Sequence, residues 1–255
     1  MSSIIIGLIA FACAFGGAML GLFLRRILPD HHLSKESRDA VMMGTGLIAT
    51  LTALVLGLLI SSAKQTFDTM NTSLTQGGAK IIMLDRTLAD YGPQANPIRD
   101  ILRRTLSAGI AKIWPEHKVT GAELSAFEKG PVGMEAVEDK VRQLAPENDL
   151  QRMVQTRALQ LTGELLEERW LTIEQAQASL PTAFLVILFF WLIILFVCIG
   201  LFAPPNRTVI AIMLVCAISV AGAVFLIREM NRPFQGVMKV SGAPLIKALE
   251  HLGKE

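Results

Sequence analysis

The sequence predicts an all-α, polytopic membrane protein: four transmembrane helices in two hairpins, with a helical extramembrane region between helices two and three. Three observations predict it. A helix needs about 20 apolar residues to cross a bilayer core. Four stretches qualify, Ser3–Leu24, Val41–Ala63, Leu180–Ala203 and Thr208–Ile227, and none holds an Asp, Glu, Lys, Arg or His. Each can therefore insert without burying a charge. The chain as a whole is 52% hydrophobic and only 18% charged, with mean hydropathy +0.48, too apolar for an ordinary soluble domain. Finally, residues 64–179 lack the alternating β-branched runs that mark strands.

Span one is predicted as a membrane helix rather than a cleaved leader. Its first residues, Met1-Ser2-Ser3, carry no positive charge, its apolar run is longer than a leader's, and Arg25-Arg26 follow it like a stop-transfer flank. A lipoprotein reading of Cys13 fails because Ala10 stands where a leucine is wanted. Pro29 ends this helix, and Ser34 or Ser37 is placed to cap the next. Span two is predicted to continue past the membrane, because Phe67, Met70, Leu74, Ile81, Leu84 and Leu88 recur at helical spacing with no proline between. Gly77-Gly78 is a candidate kink in that extension, and Tyr91-Gly92-Pro93 its end.

Asn96-Pro97 has the cap-plus-proline signature of a helix start, and that helix is expected to reach Trp114-Pro115. A looser stretch with Gly121, Gly130, Pro131 and Gly133 follows. A last extramembrane helix is expected from near Pro146 through Trp170 and Gln177 toward span three, with Pro181 at the entry. Its Glu164, Glu167, Glu168, Arg169 and Glu174 are read as a solvated face. The two membrane-connected helices would then form a stalk with a short helical cap. Spans three and four join through Ala203-Pro204-Pro205-Asn206-Arg207, with Asn206 as cap. In the tail, Ser241 is placed to cap a short helix whose Leu245, Ile246, Leu249 and Leu252 share one face. That face needs a partner: the stalk, a neighbouring subunit or the membrane interface. The expected regions are 1–63, a transmembrane hairpin; 64–179, extramembrane; 180–227, a second hairpin; and 228–255, the tail.

Composition also excludes functions. A net charge of +2 with no long basic block argues against nucleic acid. Cys13, Cys198 and Cys216 all fall inside spans and read as small packing residues. His31 and His32, near Asp30 and Glu36 in a connecting loop, are better read as headgroup-level residues than as metal ligands. There is no nucleophile elbow, no phosphate loop, no HExxH and no carboxylate within a span, so no enzyme, cofactor or proton-coupled transporter is expected.

The pattern that remains lies in span two. At about 100° per residue, Gly46, Thr50, Ala53, Gly57, Ser61 and Lys64 form one stripe, which continues outward through Asp68, Asn71 and Thr75. Leu51, Val55, Leu58 and Leu59 fall on the other side. Small residues let helices approach closely in a membrane; slender polar groups also suit a water-filled path. Both uses are open from the sequence.

Four segments resemble the bacterial bestrophin-like domain family: Leu28–Ser37, Gly46–Asp68, Leu84–Pro93 and Glu229–Leu245 with its Asn231, Pro233, Phe234 and Gly236. Together they run through nearly the whole chain. A more distant similarity links the family to bestrophins, pentameric anion channels whose second helix lines the pore and whose ends are cytosolic. The resemblance implies a homo-oligomer in the bacterial inner membrane that passes small inorganic ions. In such a channel Lys64, at the end of the stripe, would supply anion preference as a ring of positive charge. The bestrophin counterpart of Asn231–Gly236 leads into an acidic calcium clasp, whereas here Val237, Met238, Lys239 and Val240 follow, so no calcium switch is expected. The alternative is a non-conducting assembly or scaffold module that binds partners through its stalk and C-terminal helix. Lys and Arg counts near the span ends do not fix the orientation.

Overall fold

The structure is a computed structural model that describes residues 2–29, 34–115, 133–177, 182–234 and 236–253. Those residues are helical with no strand among them. In chain order the helices are α1 (Ser3–Ile27), α2 (Lys35–Tyr91), α3 (Asn96–Ile113), α4 (Met134–Arg142), α5 (Asp149–Gln177), α6 (Thr182–Phe202), α7 (Arg207–Met230) and α8 (Ala243–His251), with a 3-10 turn at Pro93–Ala95. Helices α1, α2, α6 and α7 are each long and apolar enough to cross a membrane. In hydrocarbon every backbone N–H and C=O needs an internal partner, and a helix supplies it. The chain divides into two compact units, residues 1–67 with 178–239, and 68–177 with 240–255. The predicted tail is thus shared between them.

In the first unit α1 packs against α6 and α7. Hydrocarbon provides no hydrophobic drive between helices, so the packing rests on close approach. Ala10, Ala14, Gly17, Ala18 and Gly21 of α1 are buried along that seam. A Cβ at Gly21 would overlap the Val197 carbonyl, and one at Gly200 of α6 would overlap the Ala18 carbonyl. Two backbones meet there with no room for a side chain. Leu59 and Ala63 of α2 join the same core beside Leu188, Leu192, Phe196, Met213 and Ala217. Ser34 Oγ accepts the Ser37 N–H at the start of α2, at 3.3 Å. Asn206 Oδ1 accepts the Val209 N–H at the start of α7, at 2.8 Å. Both are expected caps.

The second unit is built on the outer half of α2, which continues without a break through Gly77-Gly78. Met70, Leu74, Ile81, Leu84 and Leu88 are buried, as their spacing predicts. Gly78 lies in close contact with the tail: a Cβ there would stand 3.0 Å from the Pro244 carbonyl oxygen. Gly92 ends α2 with φ 114°, a left-handed turn that a side chain would strain. Asn96 is the first residue of α3 and not its cap; Ala95 holds that place and makes no side-chain capping bond. The end of the stretch expected to be loose contains α4, whose Met134, Val137 and Val141 are buried on one face. Gln155 of α5 donates to the Val141 and Leu144 carbonyls, both at 2.9 Å, and so closes the end of α4. His31, His32, Gly121, Gly130, Pro131 and Pro181 lie outside the described residues.

Candidate functional site

All six residues of the predicted stripe, Gly46, Thr50, Ala53, Gly57, Ser61 and Lys64, are exposed on the chain. A Cβ at Gly46 or Gly57 would meet nothing within 4 Å. The face that α2 buries against its own subunit is a different one, marked by Thr45, Thr52, Leu59 and Ala63. At about 100° per residue, that face is turned roughly a third of a circle from the stripe. A third face carries Leu47, Leu51, Leu54 and Leu58, all exposed. Of the residues on the far side of the stripe, Leu59 is buried and Val55 half-buried in the subunit's own core, whereas Leu51 and Leu58 are exposed on the chain. The sequence could not separate these faces, because leucine suits lipid, a neighbouring chain and a core equally well.

The stripe is polar at low cost. Thr50 Oγ1 donates to the Gly46 carbonyl one turn earlier at 2.9 Å, and Thr75 does the same to Asn71. Each hydroxyl thereby satisfies its hydrogen within the helix and turns its lone pairs outward. Asp68, Asn71, Thr72 and Thr75 are exposed in turn along the outer half of α2.

The segment after α7 forms a compact exit turn. Asn231 Nδ2 donates to the Ile227 carbonyl at 2.8 Å, Pro233 is buried and Phe234 half-buried. Gly236 turns the chain at φ 98°. This turn folds over Glu229, a residue the sequence reading passed over. Its side chain is 3% exposed, and its Oε2 accepts the N–H groups of Val237 at 2.7 Å and Met238 at 3.2 Å. A side chain at Gly236 would overlap both carboxylate oxygens. The motif glycine thus has two reasons to be glycine, its backbone angle and its neighbour.

The second unit has its own polar joints. Asp85 receives a two-pronged bond from Arg99, at 2.8 and 2.9 Å, and the Gly253 N–H at 3.2 Å. It ties the end of α2 to the start of α3 and to the tail. The α8 face docks within this unit: Ala248 and Leu252 are buried, Trp114 Nε1 donates to the Val240 carbonyl at 3.0 Å, and Gly242 lies against the Trp114 ring. Ser241 Oγ accepts the Ala243 N–H at 3.2 Å, near the predicted start of that helix. Two of the glutamates assigned to a solvated face are not simply solvated. Lys80 of α2 reaches Glu168 at 2.6 Å and Glu164 at 3.0 Å. The Glu168 contact chiefly raises the Lys80 pKa, and Lys80 chiefly lowers that of Glu164. Arg169 meets Glu135 of α4 at 3.1 Å, while Glu167 and Glu174 are exposed. Among the described residues no three His, Cys, Asp or Glu side chains gather as a metal site would require.

Four helices long and apolar enough to cross a bilayer, one of them running on into a helical polar unit, mark an all-helical membrane protein. Within that class the chain belongs to the Bestrophin-like family, whose domain matches residues 12–245. Its fold is similar to that of a bacterial bestrophin homologue from Klebsiella pneumoniae, crystallised as single-substitution variants. One variant aligns with TM-score 0.70 at 11% identity, covering 99% of this chain and 97% of the other. A second aligns with TM-score 0.61 at 13% identity, covering 94% and 97%. A crystal structure described only as a membrane protein aligns with TM-score 0.64 at 11% identity, covering 98% and 97%. A search of curated proteins finds no significant match.

Proposed function

We propose that the protein is an oligomeric, ion-channel-like protein of the bacterial inner membrane, in which α2 of each copy lines a shared axis. The observation that carries this reading is the stripe from Gly46 to Lys64. It is exposed along its whole length, while a separate face of the same helix is buried in its own subunit. A lipid-facing helix gains nothing from exposed Thr50 and Ser61, and a helix packed on its own subunit would cover Gly46 and Gly57. A water-filled axis shared by several copies accounts for both. The exposed leucines, Leu47, Leu51, Leu54 and Leu58, would then lie against a neighbouring copy or lipid. Five copies and a preference for anions follow from the bestrophin resemblance, with Lys64 as the positive group at the end of the stripe.

Flux from liposomes holding the purified protein tests the proposal. An ion leak that the Gly57→Leu substitution blocks supports it, and a tight vesicle under every voltage, pH and calcium condition removes it. The scaffold reading is the weaker of the two, because α8, the helix it would use to recruit partners, already buries Ala248 and Leu252 within its own chain.

A further inference from the structure

We infer that the crook where α2 turns into α3 is a binding site for a small organic monocarboxylate. A cavity of about 260 Å3 opens there, walled by the last turns of α2, the Gly92-Pro93 turn and the start of α3. Five of its seven wall residues, Asp85, Arg86, Ala89, Gly92 and Pro93, belong to the segment Leu84–Pro93, one of the four that carry the family resemblance. Neither the stripe nor the exit turn uses that segment. Asn96 and Arg99 of α3 complete the wall.

The charges of the wall decide what fits. Asp85 is 3% exposed, and its two oxygens accept Arg99 Nε, Arg99 Nη2 and the Gly253 N–H. Those bonds balance Asp85 against Arg99, and a buried carboxylate so satisfied needs no ligand. Arg86, the next residue, is exposed, and its side chain forms no ion pair or hydrogen bond among the described residues. Asp90, one turn further on, is exposed and does not line the cavity. The wall therefore carries one uncompensated positive charge, on a guanidinium whose fork matches a carboxylate. Asn96 adds an amide donor, and Ala89 and Pro93 give an apolar surface for the rest of the molecule. A second negative charge on the ligand would have no cation to answer it and would face Asp85. The volume lies below the range of about 300–1,000 Å3 that holds drug-sized ligands, so the ligand is small. The assignment does not depend on whether the protein conducts.

Saturation-transfer NMR on the full-length protein in nanodiscs of zwitterionic lipid tests this, with benzoate as the probe and benzamide, its uncharged counterpart, as the control. Benzoate is expected to take up at least about fivefold more saturation than benzamide. Arg86→Gln should weaken benzoate binding by at least about tenfold. Arg86→Lys should weaken it by less, since the charge stays and only the fork is lost. Asn96→Ala should also have a smaller effect than Arg86→Gln. Equal signals from benzoate and benzamide overturn the site, and so does benzoate binding that Arg86→Gln leaves unchanged. Inorganic phosphate that displaces benzoate at equal concentration marks a general inorganic-anion site and overturns the monocarboxylate assignment. The benzoate–benzamide comparison uses wild type alone, so it decides even where a variant does not fold.

Discussion

Both α1 and α2 carry glycine and alanine at close helical spacing in the bilayer-length part of the chain, and the two sets of small residues meet opposite surroundings. In α1, Ala10, Ala14, Gly17, Ala18 and Gly21 are buried, and a Cβ at Gly21 would overlap α6 backbone. In α2, Gly46, Thr50, Ala53 and Gly57 are exposed, and a Cβ at either glycine would meet nothing within 4 Å. The first set works by contact: the missing side chains let two backbones touch, the main source of attraction where the solvent is itself apolar. The second set has no such partner among the described residues of its own subunit. On the proposed reading, its smallness keeps a path open and polar, which is what a lining requires and a packing seam does not.

The contrast is open to direct attack. Gly21→Leu and Gly200→Leu should each abolish folded protein, seen as loss of the symmetric size-exclusion peak, because the neighbour in the way is backbone and cannot turn aside. The milder Gly200→Ala should still cost about 1–3 kcal/mol. Gly57→Leu, the same chemical change on α2, should leave melting within about 2 °C of wild type, as for a surface position. In liposomes it should nevertheless cut ion flux by at least about tenfold by narrowing the path. A Gly57→Leu protein that fails to fold would show that the two stripes do the same work.

Gly78 stands between these extremes. The obstacle to its Cβ is the Pro244 carbonyl of the docked tail, 3.0 Å away. That tail can lift where a transmembrane helix cannot. Gly78→Leu should therefore keep the fold while weakening α8 docking by about 1–3 kcal/mol. Faster tryptic cleavage at Lys247, within α8, would report it; an unchanged cleavage rate would mean that Gly78 is not a contact the tail depends on.

Much of this was legible in the sequence, and the gaps have physical reasons. The spans stand out because a charge in hydrocarbon is costly, so charge-free runs of that length rarely serve any other purpose. The long α2 was readable because Met70 to Leu88 keep helical spacing with no breaker. Helix α4 was hidden by Gly130, Pro131 and Gly133 just before it, although Met134, Val137 and Val141 already had the right spacing. The stripe could be found but not interpreted, since glycine looks the same whether it touches a backbone or water. What tells the two apart is the partner: Gly200 on α6 matches Gly21, and among the described residues nothing stands within 4 Å of a Cβ at Gly57. Glu229 escaped because its partners are the N–H groups of Val237 and Met238, and a backbone donor leaves no mark on residue type.

The outer half of α2 offers the smallest and most specific test, since it is held by charge as well as by packing. Lys80, whose side chain is 26% exposed, clasps Glu164 and Glu168. Pairs this wet are weak, so Lys80→Met should lower the melting temperature by only about 1–3 °C near neutral pH. The Lys80 pKa is raised above its usual 10.5, chiefly by Glu168. Its contribution is therefore complete below that value and fades only as pH climbs through the raised one. The Glu164 pKa is lowered from 4.5, chiefly by Lys80, so its share is complete above 4.5 and is lost as pH falls through the lowered value. Between about pH 5 and 10 the gap between wild type and Lys80→Met should accordingly stay flat. It should close on the acid side below the normal glutamate range and on the alkaline side above the normal lysine range. A gap that persists unchanged at pH 3 would assign the Lys80 effect to its aliphatic stem packing on α5 rather than to its charge.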